Sequence, residues 1–447
     1  MSADRGFSFT QDQLRALAQD CLRFAREGGA SAAEIDVSEG WGHSVSVRHG
    51  EIDTLEYNRD KGLSVSVYLG TQRGHANTSD FSAQAMRDTV KAALSIARFT
   101  AEDPCAGLPE AELLATEARE LDLFHPWETD VEASLELAKR CEAAGFAVSG
   151  QITNSEGASV STQQSQFVSA NSLGFCEGFA TTRHSLGVSL IAGQGDGMQR
   201  DDWWVSSRDA ARLPPVEEVG DYAARRALSR LNARRLPTQE APVIFEAPQV
   251  AGLLGHFVGA ASGGALYRRA SFLLGRMGEQ VFSDQVTLLE DPFVPGGFAS
   301  SWFDDEGVRT ARRNVVEKGQ LKGWFLGSYS ARKLGLQTTG NAGGCHNLIL
   351  QPGDDNLNGL IRRMGRGLLV TELLGHGINM VTGDYSRGAA GYWVENGVIA
   401  YPVQEITIAG NLLQMFKDIV ACGNDMLIRG SKQCGSVLIG SMTIAGE

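Results

Sequence analysis

Leu14, Leu17, Ala18, Cys21, Leu22 and Ala25 fall on one face of a helical wheel, and Gly28-Gly29 closes the run. Thr10 and Gln13 precede it at the spacing of a capping box, in which each side chain satisfies the other residue's orphan backbone N–H. Together these predict an amphipathic N-terminal helix. The period then drops to two. Val45 and Val47 alternate with Ser44, Ser46 and Arg48, and Leu63, Val65, Val67 and Leu69 alternate with Ser64, Ser66 and Tyr68. Such strands bury one face only, which favours an antiparallel sheet. From Ser82 to Arg98 the period returns to 3.6, with Met86, Val90, Ala93, Leu94 and Ala97 on one side of a second helix.

The same order then restarts. Thr129 and Glu132 have capping-box spacing ahead of a helix bearing Val131, Leu135, Ala138 and Cys141. Short strands follow between Ile152 and Ile191, punctuated by Asn154-Ser155-Glu156-Gly157 and Asn171-Ser172-Leu173-Gly174. Helix then strands, twice over, suggests a duplicated unit. A charged helix is expected over Val216 to Arg235, then a linker over Pro237 to Pro242, a strand starting at Val243-Ile244-Phe245, and a helix over Gln249 to Ala261. Beyond it, short apolar segments alternate with glycine-containing turns such as Glu395-Asn396-Gly397 and Cys422-Gly423-Asn424-Asp425. The expected class is α+β. Residues 1–237 form N-terminal helices packed on a mixed or antiparallel sheet, divisible into 1–115 and 116–237; residues 238–447 form a β-rich, barrel-like or sandwich domain.

Composition narrows the function. A chain of 447 residues exceeds one ordinary hydrophobic core, and 43% hydrophobic with 21% charged residues is a globular balance. No apolar run approaches the roughly 20 residues of a membrane span. Met1-Ser2-Ala3-Asp4 leads into the first helix without a basic or apolar leader, and seven cysteines without paired spacing suit a reducing compartment, so a cytoplasmic location is expected. The formal net charge of −13 repels a phosphate backbone. Arg225-Arg226 with Arg234-Arg235, and Arg362-Arg363 with Arg366, are the densest basic runs, and they suit solvated helix faces. No nucleic-acid partner is expected.

Common catalytic signatures are absent. There is no Gly-Lys pair for a phosphate loop, no G-x-S-x-G elbow and no C-x-x-C. Gly193-Gln194-Gly195 opens a dinucleotide-like run, but Met198 stands where its third glycine belongs. The eight histidines are His43, His49, His75, His125, His184, His256, His346 and His376, and no two lie three to five residues apart. A helix therefore cannot aim two of these imidazoles at one metal by local spacing. No catalytic, cofactor-binding or metal-ligating set emerges from spacing.

Several C-terminal segments are similar to those of the TldD/PmbA family. They are Phe303-Asp304-Asp305-Glu306-Gly307, Val316 to Gly323, Ala331-Arg332 with Gly335, Thr339-Gly340-Asn341, Gly383-Asp384-Tyr385-Ser386-Arg387-Gly388 running into Gly391-Tyr392-Trp393, and Gly423-Asn424-Asp425 with Cys434-Gly435 downstream. The resemblance covers most of the chain. It implies a two-branch family in which TldD-type chains carry His-Glu-x-x-x-His on a helix, with zinc activating water for peptide hydrolysis. In a regular helix His positions five apart lie about 140° around the axis, so a bulge or helix end must bring them together. Laid on this chain, the motif falls on Gly255, His256 and Ala260: both ligand positions and the base position are changed. Cys434 resembles the TldD segment that supplies a cysteine ligand.

These departures match the PmbA (TldE) branch. The resemblance implies a non-catalytic subunit of a zinc metalloprotease complex acting on unfolded peptides, partnered by a homologous TldD-type chain that holds the zinc, with peptidase activity expected only in that complex. The alternatives are a stand-alone metallopeptidase assembling distant ligands from His256, His346, His376 and Cys434, and a protein-binding regulator of a DNA-handling enzyme.

Overall fold

The computed structural model describes residues 6–446; Met1 to Arg5 and Glu447, and with them the reading of the opening residues as leaderless, lie outside the described residues. Helix α1 (Gln11–Glu27) carries the expected capping box, with both reciprocal hydrogen bonds between Thr10 and Gln13. It leads into two long strands, β1 (Ala32–Arg48) and β2 (Glu51–Leu69), joined by a tight turn at His49-Gly50, both with positive φ. Strand β3 (Gln72–Thr78) and helix α2 (Ala83–Phe99), capped by Ser82, complete a first unit.

The second unit repeats the order. Helix α3 (Val131–Ala147) is followed by β4 (Ile152–Asn171), the short β5 (Cys176–Glu177), β6 (Ala180–Ala192), β7 (Gln199–Ser207) and helix α4 (Val216–Ser229). The cap of α3 differs from expectation. Asp130 accepts from Ala133 N, while Thr129 Oγ1 turns to the Asp130 carbonyl and Ser134. Helix α4 also stops at Ser229, short of Arg235, because Asn232 takes a left-handed φ of 62° and Arg234 pairs its backbone with residues 402–404.

All the strand pairings in this region are antiparallel, in the order β3-β2-β1-β4-β6-β7 with β5 beside β4. The two units meet at the β1–β4 pair and share one sheet. Ile35 and Val37 of β1 enter a core with α1 and α2, whereas Val45 and Val47 enter a second core with α3 and α4. These four residues share one parity along the strand, so both helix pairs cover the same face. The opposite face is left for Glu34, Asp36 and their neighbours.

The stretch read as a linker is largely strand. β8 (Gln239–Phe245) pairs with the distant β19 (Val437–Ala445) from Gln239 onward. Pro242 is tolerated because it lies where the β8–β19 register shifts, one residue before pairing with β13 (Gly367–Leu374) begins at Val243. Helix α5 (Ala247–Ala260), with Pro248 in its first turn, and the short α6 (Gly263–Tyr267) follow. Between β8 and β13 come β9 (Leu288–Asp291), β10 (Arg313–Glu317), β11 (Gln320–Leu321), helix α7 (Ser328–Leu334) and β12 (Asn347–Leu350). After β13 come β14 (Asp384–Glu395), β15 (Val398–Asn411), β16 (Ile419–Cys422), β17 (Leu427–Ile428) and β18 (Lys432–Cys434).

These strands make one open sheet, β11-β10-β9-β12-β18-β17, and one ring. In the ring β15-β14-β13-β8-β19 closes on itself because β19 also pairs with β15, with β16 attached to β19. A single large apolar core links both sheets to α5, including Phe245, Phe257, Leu288, Leu348, Ile408 and Ile439. The expected barrel-like region is thus a closed five-stranded ring beside a second sheet. No described helix is long and apolar enough to cross a membrane.

Candidate functional site

Helix α5 is where the zinc motif would fall. It is α-helical throughout, and Ala260 is its last residue, buried in the core. Gly255 faces Lys432, whose Cε lies 3.7 Å from the position a Cβ would occupy. His256, half-buried, meets Tyr385 edge-on with ring centroids 6.3 Å apart; burial and then the charge of Arg387 hold its pKa below the ordinary histidine value. The Gly383–Gly388 segment therefore packs against this helix.

The other three candidates stand apart from it chemically. Cys434 is buried, its Sγ donates to the Ala247 carbonyl at 3.6 Å, and burial pushes its thiol pKa up to about 12, so the ligating thiolate is disfavoured. His346 is buried and its Nε2 meets the Gly340 carbonyl at 2.9 Å, which fixes that nitrogen as the donor. His376 lies exposed in the turn after β13. Among the described residues no three His, Cys, Asp or Glu side chains are placed to hold one metal ion. As placed, these four candidates do not converge into the ligand set of a catalytic zinc.

Glu290 anchors the segment around His346. It is buried, pairs with Arg313 Nε at 2.8 Å, and accepts from Asn341 Nδ2 at 2.6 Å and His346 N at 3.0 Å. The Thr339-Gly340-Asn341 segment is thereby a structural clasp.

A cavity of about 780 Å³ opens between the polar face of the first sheet and the C-terminal loops. Glu34 and Asp36 project from β1, Tyr68 and Arg73 from the neighbouring strands, and Asp305 and Glu306 from the loop facing them. Tyr68 donates its hydroxyl to Glu34 Oε1 at 3.1 Å, and Arg73 approaches the same oxygen at 3.1 Å. Burial raises the pKa of Glu34, against the opposing pull of Arg73. Asp36 and Asp305 are also raised, by crowding from surrounding protein first and, for Asp305, by Asp36 next, although both touch the cavity's solvent. The acidic wall accordingly favours protons or positive charge.

Behind the wall, Asp304 is 3% exposed and accepts three backbone N–H groups, from Glu306, Val308 and Ala342. Burial, then Glu306, raises its pKa to about 7, and the three donors offset only part of this. Gly343 (φ 88°) is required here, since a Cβ would stand 2.2 Å from the Asp305 carboxylate. Arg332 of α7 pins the segment after α2 by donating to the carbonyls of Gly107 and Leu108 and to Glu110. Spacing singled out none of these cavity residues from the first sheet, yet Glu34 and Asp36 are visible as the polar partners alternating with Ala33, Ile35 and Val37.

The sequence and the fold resemble known proteins along nearly the whole chain. Three family models match in succession: PmbA/TldA metallopeptidase domain 1 over residues 33–97, the central domain over 124–231 and the C-terminal domain over 238–446. The metalloprotease PmbA of Escherichia coli O157:H7 is 48% identical over 420 residues, covering 94% of this chain and 93% of that one. The PmbA homolog of Haemophilus influenzae is 43% identical over 438 residues, covering 98% and 97%. Among solved structures, a candidate modulator of DNA gyrase from Bacteroides thetaiotaomicron superposes with a TM-score of 0.93 at 27% identity, over 98% of this chain and 100% of that one. TldE from Thermococcus kodakarensis shares the fold, with a TM-score of 0.85 at 21% identity over 96% and 100%. With 48% identity running through nearly the whole length and all three successive models matched, the chain belongs to the TldD/PmbA family, in its PmbA/TldE branch.

Proposed function

We propose that this chain is the zinc-free subunit of a metalloprotease pair, working with a homologous TldD-type chain that supplies the metal and the water-activating carboxylate, and acting on unfolded peptide. The observation that carries the reading is α5: Gly255, His256 and Ala260 stand at the motif positions, and Cys434 gives its thiol to the Ala247 carbonyl. Hydrolysis by zinc needs convergent ligands and a base within reach of the metal-bound water. Here the candidates diverge, so the chain's own contribution is to hold peptide and complete the partner's site. Purification of the chain alone, dialysis against metal-free buffer and elemental mass spectrometry should return far less than one zinc per chain. Co-expression with a TldD-type chain should yield a stable complex carrying zinc and peptidase activity. One equivalent of zinc on the isolated chain, or no association with such a partner, overturns the reading.

A second reading, regulation of a DNA-handling enzyme, is favoured by the description of the Bacteroides relative. A net charge of −13 argues against direct contact with DNA, so any such role runs through protein contact. Salt-titrated DNA binding should therefore be absent.

A further inference from the structure

Arg429 follows β17 immediately; Asp202 and Glu246 attract it electrostatically, but neither is in direct ion-pair contact with it among the described residues. Its guanidinium carbon lies 3.9 Å from the ring centre of Trp203 and 4.5 Å from that of Trp204. Its Nε and Nη2 are shielded from solvent and make no hydrogen bond. Buried donors left unmet are costly, and buried guanidinium groups are ordinarily paired. The two orphan atoms form one edge of the guanidinium, the fork that meets both oxygens of a carboxylate.

Arg429 lines a cavity of about 450 Å³ shared with Lys432, Trp204, Leu427, the first turn of α5 and Asp202. Asp202 is the one carboxylate of that lining; its Oδ1 is approached by Arg200 at 3.6 Å, and it also attracts Arg429 without a hydrogen bond to it. Lys432 adds charge of the same sign as Arg429, while Glu246, at the start of α5, is engaged by Arg226. Trp204 and Leu427 give the cavity an apolar side. Strand β17 is an edge of the open sheet, paired only with β18. Edge strands accept an extended chain by backbone hydrogen bonding.

We propose that this cavity captures the free C-terminal carboxylate of an extended peptide, with Arg429 shifting to present its unmet Nε–Nη2 edge for the bidentate contact, Lys432 supplying a second cation, and Trp204 and Leu427 receiving an apolar last side chain. The proposal rests on the peptide-handling reading above and names the end of the peptide that this subunit holds. Trp203 and Trp204 stack on the guanidinium, so their fluorescence reports occupancy.

The test is titration of the full-length chain with a neutral, unstructured pentapeptide ending in leucine, as the free acid and as the C-terminal amide, followed by tryptophan fluorescence and calorimetry. The free acid should bind at least ten-fold more tightly than the amide. Arg429→Gln should remove that preference, while Arg429→Lys, which keeps the charge without the fork, should retain part of it. The acid–amide comparison uses the wild-type chain and stands even if a variant fails to fold. Equal binding of acid and amide overturns the carboxylate site and leaves the peptide reading intact. Inorganic phosphate competing as well as the free acid marks a general anion site and overturns capture of a peptide end. If neither peptide binds, the site fails, and the zinc and association measurements decide separately on the peptide reading.

Discussion

Arg226 of α4 donates through both terminal nitrogens to Glu246, at 2.8 and 3.2 Å, and its Nε reaches Asp201 of β7 at 3.1 Å. The pair spans the junction between the helical layer of the first sheet and the residue that opens α5. Arg230, the residue just after α4, continues the network to Asp201 and to Glu372 of β13.

Both partners of the Arg226–Glu246 pair are nearly removed from solvent, at 12% and 9% side-chain exposure. Arg226→Ala leaves Glu246 a buried, unpaired carboxylate, and should cost about 3 to 5 kcal/mol. Urea denaturation of the variant checks this, read as a lower midpoint. A shift equivalent to about 1 kcal/mol or less would mean that water reaches the junction and replaces the guanidinium.

Asp304 makes stability depend on pH in an unusual direction. Its folded pKa is raised to about 7, so between the ordinary aspartate value near 4 and about 7 the folded chain binds more protons than the unfolded one. Its contribution is therefore present below about pH 4 and is lost as the pH rises through 7. Asp304→Asn cannot titrate, and its thermal midpoint measured from pH 5 to pH 8 should fall less steeply than that of the wild type. The variant should also be less stable throughout, because one of its groups becomes a donor facing donor N–H groups.

Gly391 is the closest approach in the ring. A Cβ there would lie 1.8 Å from the carbonyl oxygen of Leu369 on the paired strand. Gly391→Ala must push β13 and β14 apart, and a loss of about 3 kcal/mol is expected, the upper end for overpacking. Amide exchange should show the protection of β13 and β14 falling together.

The cysteines divide by burial. Cys21, Cys141, Cys422 and Cys434 are buried with thiol pKa values raised to about 12, so at pH 8 they hold almost no thiolate. Iodoacetamide applied to the folded chain should leave these four unmodified and label them only in denaturant. Peptide mass mapping at the two conditions checks the division. Early labelling of Cys434 would show that the contact with Ala247 opens readily.

What the sequence disclosed was local. The cap at Thr10, the helical period that starts near Ser82, the alternation around Val65 and the glycine stop after α1 are decided by residues a few positions apart, and the structure keeps them. The Thr129 cap slipped by one because two adjacent residues both can cap, and the one whose oxygen reached Ala133 N prevailed. The segment before Val243 looked like a linker because its two prolines are local turn signals, whereas its strand character comes from β19, nearly two hundred residues later. The acidic cavity was hidden for the same reason: Asp36 and Asp305 face each other only once the first sheet and the C-terminal loops have packed. Helix α5 was legible because its apolar spacing is itself a local pattern.

The closure of the ring sets an order of events during synthesis. The first sheet has all its strands once residue 207 has been made, whereas β8 must wait for β19 before its second edge is covered. Through that interval the nascent chain carries an apolar strand with an unpaired edge, the kind of surface that recruits chaperones or pairs with other copies. Ribosome-bound chains arrested well beyond residue 250 but before 430 should accordingly be protease-resistant in the first sheet and sensitive in the part after residue 239 that has left the exit tunnel. Resistance in the later region should appear as one step, when β19 clears the exit tunnel.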